Sequence, residues 1–262
     1  MTETLVRYEI DGGVATITLN RPGVLNALNR PLLTDLHDAI HRAQDEHARC
    51  LVLTGEGRGF CAGQDLADIR ADYDNGSPDL EALLREYYHP VVRGIRGATM
   101  PVLAALNGVA AGAGLSLALA CDLRIASEAA RLTTAFTGIG LVPDAGMAWT
   151  LPRLVGAANA TRLVMRPGPI SAAEALSMGL VDEVAPPDEF SARVATLAAE
   201  LAAGPTRAFV LSRQLMDEAA TSPLDRLLDL EAGAQLEAGR TEDHRNAIAA
   251  FLEKRPATFE GR

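Results

Sequence analysis

Asn107-Gly-Val-Ala-Ala-Gly-Ala-Gly-Leu-Ser116 is the stretch on which the reading of this chain turns. Uncharged residues 101–106 precede it, with the continuous apolarity of a strand buried on both faces. Residues 115–121 follow it, apolar on every side, and predict a short buried helix. Between them, Gly108, Gly112 and Gly114 let backbone approach backbone, or a ligand, where a Cβ would clash. The first N–H groups of a helix have no partner inside it and present the positive end of its dipole. Strand, glycine turn and helix start together can build an oxyanion hole. A tight turn packed for its own sake needs the same residues, and both readings stand on this stretch alone.

The bulk numbers narrow the classes. The chain has 262 residues, 48% of them hydrophobic but only 4% aromatic, so its core is built from Ala, Leu and Val. A net charge of −10 opposes nucleic acid or an anionic membrane as partner. An anionic substrate would then be held by a few local cations, among which Lys254 is the single lysine. Cys50, Cys61 and Cys121 are odd in number and lie in apolar segments, which predicts reduced core thiols and an intracellular protein. Glu3 and Arg7 interrupt the start of the chain, so no secretory signal is expected. Residues 102–121 are uncharged for long enough to span a bilayer. Their glycines, and Asn107 in their midst, fit a protein interior better, and the chain reads as soluble and cytoplasmic.

Along the chain, Val14–Leu19 alternates as a half-buried strand. Pro31 opens a helix with the stripe Leu32, Leu33, Leu36, Ile40, Ala43. That helix carries His37-Asp-Ala-Ile-His41, a near miss to a zinc-protease pattern that lacks its glutamate and a third ligand. Residues 50–54 predict a buried strand, 55–63 a glycine-rich loop, 72–78 a mobile polar loop, 80–95 a helix and 123–125 another strand. Strands alternating with helices predict an α/β fold with mostly parallel pairing. Ser171-Ala-Ala-Glu174 is a capping box, and Gly179 ends its helix. Beyond Pro186-Pro187 the pattern is helical, with Ile248, Phe251 and Leu252 marking the last helix. Residues 1–186 thus read as an α/β core and 187–262 as a helical region.

Two further stretches bear on chemistry. Asp144 stands among Leu141, Val142, Met147 and Trp149. A carboxylate in such company is costly to ionise, so its pKa should rise, as a general base that returns its proton requires. Capping of the following helix after Pro143 accounts for the same residue. Residues 59–66, Gly-Phe-Cys-Ala-Gly-Gln-Asp-Leu, offer a second backbone N–H. Neither Cys61 nor Ser116 has a base near it in sequence, so neither reads as a nucleophile. Gly112-Ala-Gly114 lacks the third glycine of a dinucleotide fingerprint.

Taken together, residues 57–66, residues 107–114 and Leu141-Val-Pro-Asp-Ala-Gly146 resemble the crotonase (enoyl-CoA hydratase/isomerase) superfamily, and the resemblance runs nearly end to end. It implies a spiral of ββα units, a helical C-terminal part that trimerises, and an acyl-CoA substrate. No separate cofactor is implied, since coenzyme A is part of the substrate. It implies that the backbone N–H groups of Gln64 and Ala113 hold the thioester oxygen. Leu25, Ala27, Ala62, Asp65 and Leu66 would line the CoA groove, and Lys254 would meet its phosphates. It also implies a homotrimer or a dimer of trimers.

The departures bear on the reaction. Hydratases of the family split water with two glutamates, whose positions correspond here to Ser116 and Phe136. Neither does acid–base work, whereas a 1,3-proton shift needs only an oxyanion hole and one base. Asp144 falls where several family isomerases and a dehalogenase carry a functional aspartate. The resemblance is greatest to the branch that isomerises ring-epoxidised phenylacetyl-CoA, and Met147 replaces a glycine expected there, narrowing the acyl pocket. An ordinary enoyl-CoA hydratase or isomerase is the nearby alternative. A non-catalytic CoA- or RNA-binding homologue is a remoter one, which the acidic charge disfavours for RNA.

Overall fold

The computed structural model describes residues 4–74 and 76–262. Glu3 at the charged start, and Asn75 within the expected 72–78 loop, lie outside the described residues. Ten strands form the frame: β1 (Val6–Asp11), β2 (Val14–Leu19), β3 (Cys50–Gly55), β4 (Gly59–Cys61), β5 (Val102–Leu106), β6 (Val109–Ala111), β7 (Leu123–Ser127), β8 (Arg131–Thr133), β9 (Ile170–Ser171) and β10 (Glu183–Ala185). One six-stranded sheet runs β1-β2-β3-β5-β7-β10, and a four-stranded sheet runs β4-β6-β8-β9. Among the described residues only β1–β2 and β8–β9 pair antiparallel. The chain repeatedly adds one strand to each sheet and then a helix, as in β3-β4, β5-β6 and β7-β8. This is the expected ββα spiral.

Alternation along β3 explains how the large sheet is covered. Leu51 and Leu53 face a core shared with Leu32, Leu36 and Ile40 of the helix Arg30–Asp45, and with Val91 and Ile95. Cys50 and Val52 face the other way, onto Phe190, Ala198 and Ala202 of the helix Phe190–Ala202. A central parallel strand must be apolar on both sides, as residues 50–53 are. The first helix of the expected C-terminal region is thus a layer of the sheet core. All three cysteines are buried and free, and burial pushes each thiol up to about 12.

The structure differs from the sequence reading in several places. β4 occupies part of the expected 55–63 loop, and β6 interrupts what read as one glycine turn. Three-residue strands are too short to show a period. β1 escaped notice because it is a sheet edge with only Val6 buried. Asp72–Asp74 belong to the helix Leu66–Asp74, where Arg30 pairs with Asp68 at 3.0 Å and Asp72 at 2.5 Å. Residues 80–96 are helical but contain a π-helical turn, Leu84–Tyr88. Residues 102–121 divide into β5 and the helix Ala113–Ala120, both fully buried, and the half-buried β6 between them. No single helix among the described residues is long and apolar enough to cross a membrane.

The His37 and His41 rings meet each other at 3.1 Å on an exposed face. Among the described residues no group of three or more His, Cys, Asp or Glu side chains could hold a metal ion. The capping box at Ser171 and Glu174 forms as expected, and Gly179 turns the chain at φ +77°. In the last helix, Glu242–Leu252, Phe251 and Leu252 are exposed; Ala250 and Asp243 are buried instead. The Asp243 carboxylate accepts from the N–H groups of Glu260 (2.6 Å) and Gly261 (2.9 Å), pinning the tail. The helix Leu224–Gly239 buries no residue within the chain.

Candidate active site

Two backbone N–H groups are set free at one place. Leu28 and Gln64 form a parallel bridge in which Leu28 N donates to Gly63 O at 2.8 Å and Asp65 N donates to Leu28 O at 2.9 Å. Successive N–H groups of an extended chain alternate sides, so the Gln64 N–H is directed away from Leu28. Ala113 is the first residue of its helix and follows Gly112 at φ +50°, where no side chain caps the helix. Among the described residues neither the Gln64 nor the Ala113 N–H donates to another backbone group. The segments carrying them touch: a Cβ on Gly63 would lie 2.7 Å from Ala111 O and 3.5 Å from Ala113 N. One on Gly114 would lie 2.5 Å from Cys61 O. Glycine is needed at both positions for the two N–H groups to stand together.

A polar lattice holds this arrangement, and its central member was not singled out from the sequence. Asn26 is fully buried at φ +57°. Its amide donates to Glu56 O (3.0 Å), Gly59 O (2.8 Å) and Phe60 O (3.2 Å), while its Oδ1 accepts from Arg21 N at 2.8 Å. The backbone of Asn26 accepts the Cys61 thiol at 3.2 Å. Asn107 repeats the device, donating to Gly55 O at 2.8 Å and Gly57 O at 2.9 Å. A lone amide inside Leu25-Asn26-Ala27-Leu28 was the available signal, since a buried amide must find partners.

The expected groove residues gather on this lattice. Leu25 takes a left-handed conformation at φ 50° and its carbonyl accepts from Ala62 N at 2.9 Å. Ala27 is buried, and Leu66 is exposed at the start of its helix. The Asp65 carboxylate pairs with Arg21 at 2.9 Å and accepts from Ala67 N at 3.0 Å. Arg21 in turn donates to Ala27 O at 2.6 Å. Lys254 stands apart, exposed beyond the last helix at φ 54°. Among the described residues no hydrogen bond or ion pair joins its ammonium to the groove.

Asp144 is not a helix cap. The helix Met147–Met165 is preceded by Gly146 with no side-chain cap bond. Asp144 meets that helix only through its carbonyl, which accepts from Met147 N at 2.9 Å. Ala145 (φ +47°) and Gly146 (φ +84°) are both left-handed, so the aspartate stands on a tight turn. A non-glycine residue held there is strained, a cost often found where a side chain must be aimed. Among the described residues the buried Asp144 Oδ1 has no hydrogen-bond partner. Burial alone lifts the carboxyl from 3.8 to about 6.

Ser116 links the Asp144 turn to the helix that begins at Ala113. It is fully buried, and its hydroxyl lies 3.0 Å from the Asp144 carbonyl and 3.2 Å from Gly112 O, donating its one proton to either. Phe136 is buried in the same apolar cluster as Ala113, Ala145 and Met147. The structure thus brings the Gln64 segment against the start of the Ala113 helix and fastens the Asp144 turn to that helix. The chemistry such a group can do is proton transfer at a carbon whose neighbouring carbonyl becomes an oxyanion.

Known proteins are similar to this chain over nearly its whole length. Residues 9–262 match the family model described as enoyl-CoA hydratase/isomerase. The chain is 48% identical over 262 residues to a probable enoyl-CoA hydratase of Rhodobacter capsulatus, covering 100% of both chains. It is 41% identical over 254 residues to the 1,2-epoxyphenylacetyl-CoA isomerase of Escherichia coli, covering 97% of each. Among solved structures, a putative enoyl-CoA hydratase/isomerase from Mycobacterium abscessus superposes with a TM-score of 0.93 at 40% identity, over 98% of this chain and 100% of that one. With its crotonase-type spiral and a match over nearly its whole length, this chain belongs to the enoyl-CoA hydratase/isomerase family.

Proposed function

We propose that the protein is an acyl-CoA isomerase in which Asp144 is the single acid and base. The observation that carries this reading is a half-buried aspartate whose Oδ1 is unpartnered among the described residues, on a turn tied through Ser116 to the helix that starts at the free Ala113 N–H, with Ser116 and Phe136 where a hydratase needs its glutamates. The thioester oxygen accepts hydrogen bonds from the N–H groups of Gln64 and Ala113. Asp144, ionised at neutral pH with a pKa near 6, takes a proton from the carbon chain. The freed electron pair moves into an enolate whose oxygen the hole holds. The same carboxyl returns its proton at a different carbon; with a ring epoxide, the enolate electrons break a C–O bond and the carboxyl returns its proton to the anion so formed. Substrate and product have one formula, and no water is consumed.

The substrate we favour is 2-(1,2-epoxy-1,2-dihydrophenyl)acetyl-CoA, a reading supported by the likeness to the Escherichia coli isomerase. Leu25, Ala27, Ala62, Asp65 and Leu66 would carry the CoA moiety, with Lys254 meeting its phosphates. Coenzyme A enters as part of the substrate, and no other cofactor is called for. The exposed Leu224, Leu228, Leu236, Phe251 and Leu252 suit a homotrimer or a dimer of trimers. A cytoplasmic setting fits reduced, buried thiols.

An enoyl-CoA hydratase is the second reading, favoured by the name of the Rhodobacter capsulatus relative. A panel of 3-enoyl, 2-enoyl and ring-epoxide CoA thioesters, followed by absorbance and mass spectrometry, separates the two. Product isomeric with substrate supports the isomerase; product heavier by one water on the 2-enoyl thioester supports the hydratase.

A further inference from the structure

Tyr88 ends the π-helical turn Leu84–Tyr88 and is 1% exposed. Its phenol oxygen is buried and has no hydrogen-bond partner among the described residues. A phenylalanine would fill the same space without leaving a donor unpaired, and an unsatisfied buried hydroxyl is destabilising. π-helical turns often mark functional sites. Val92, one turn further along the helix, lies 3.4 Å from where a Gly146 Cβ would stand, so this helix face abuts the Asp144 turn. Tyr88 shares one apolar cluster with Phe136, Ala145 and Met147. Burial, and then the charge of Asp144, hold the phenol well above its ordinary value, so it stays protonated as a donor. The phenol and the Asp144 Oδ1 are both orphaned and do not bond to each other.

We propose that the Tyr88 hydroxyl donates a hydrogen bond to an oxygen carried on the acyl group, and so makes the site prefer oxygen-bearing acyl thioesters to plain hydrocarbon ones. The inference rests on the acyl-CoA isomerase reading and names the substrate class of that site. Tyr88 supplies a donor from the helix that abuts the Asp144 turn, within an apolar cluster. An epoxide, hydroxyl or ring carbonyl satisfies it, whereas an unsubstituted enoyl chain leaves it unpaired.

Tyr88→Phe removes only the hydroxyl. Binding of phenylacetyl-CoA and of 2-hydroxyphenylacetyl-CoA, a stable ring-oxygen analogue, is measured by calorimetry for wild type and variant, with melting temperature and the pH profile of turnover. Wild type should bind the hydroxylated thioester roughly tenfold more tightly, the worth of one hydrogen bond. Tyr88→Phe should abolish that ratio, leave phenylacetyl-CoA affinity unchanged, and melt no lower than wild type. Equal affinity in wild type, or a preference that survives the substitution, overturns the inference. An upward shift of the pH profile with equal losses on both thioesters also overturns it, because Tyr88 would then act through Asp144. Isomerisation of the ring-epoxide thioester is assayed separately. Its absence alongside an intact binding ratio would count against the isomerase reading and leave the Tyr88 donor standing; failure of both thioesters to bind would remove both.

Discussion

Asp144→Asn separates charge from shape and predicts opposite effects on stability and rate. Burial raises the folded-state pKa from 3.8 to about 6. A carboxyl with a raised pKa favours the fold while protonated, so its cost is absent below about pH 4. The cost grows as pH climbs toward 6 and is fully present above that. At about 1.4 kcal/mol per pH unit, ionised Asp144 costs the fold at most about 3 kcal/mol at pH 8. Asparagine is uncharged at every pH, so the variant should melt near wild type at pH 4 and higher at pH 8. The unpartnered amide offsets part of that gain. The amide cannot take and return a proton, and turnover should fall by roughly two to four orders of magnitude. Affinity for CoA thioesters should hardly change, since the groove and the N–H hole are other parts of the chain. Melting curves from pH 4 to 8 and isomerisation rates, on one preparation, check all three. A pH-independent difference in melting, or near-normal turnover, would refute the reasoning.

The other expectations follow from the same contacts. Wild-type turnover should rise with pH through about 6 as the buried Asp144 carboxyl ionises, and a rising limb near pH 4 would deny the burial effect. Ser116→Ala unfastens the Asp144 turn from the helix Ala113–Ala120; a rate loss of about tenfold with a stability cost of about 1 kcal/mol is expected from one lost hydrogen bond, and unchanged kcat would deny the link. Asn26→Ala strands three carbonyls and should lower stability by about 2–4 kcal/mol, measured by denaturant unfolding. Lys254→Ala should weaken CoA binding at low salt by about 1 kcal/mol and leave kcat alone, and unaltered affinity would remove this lysine from the site.

The larger architecture was legible because its signals are periodic. The stripe Leu32–Leu36–Ile40 and the doubly buried β3 announced a helix laid on a parallel sheet. The four-stranded sheet stayed hidden because its strands are two or three residues long, and pairing rather than pattern defines them. The site was legible where chemistry needs a residue type out of place, as with Asp144 among apolar neighbours. Its two readings were separated only by the observed helix start, which Asp144 does not cap. Tyr88 gave no such signal, because an aromatic residue in an apolar helix face is expected in any core. Phe251 and Leu252 were legible as apolar but not as exposed, since periodicity reports an apolar face without saying whether the chain itself covers it.

The central claim is that this site shifts a proton within one acyl group and adds nothing. Turnover of the ring-epoxide thioester in ¹⁸O-enriched water, read by mass spectrometry, tests it most directly. The account predicts a product of unchanged mass that carries no ¹⁸O; a product heavier by one labelled water would contradict it.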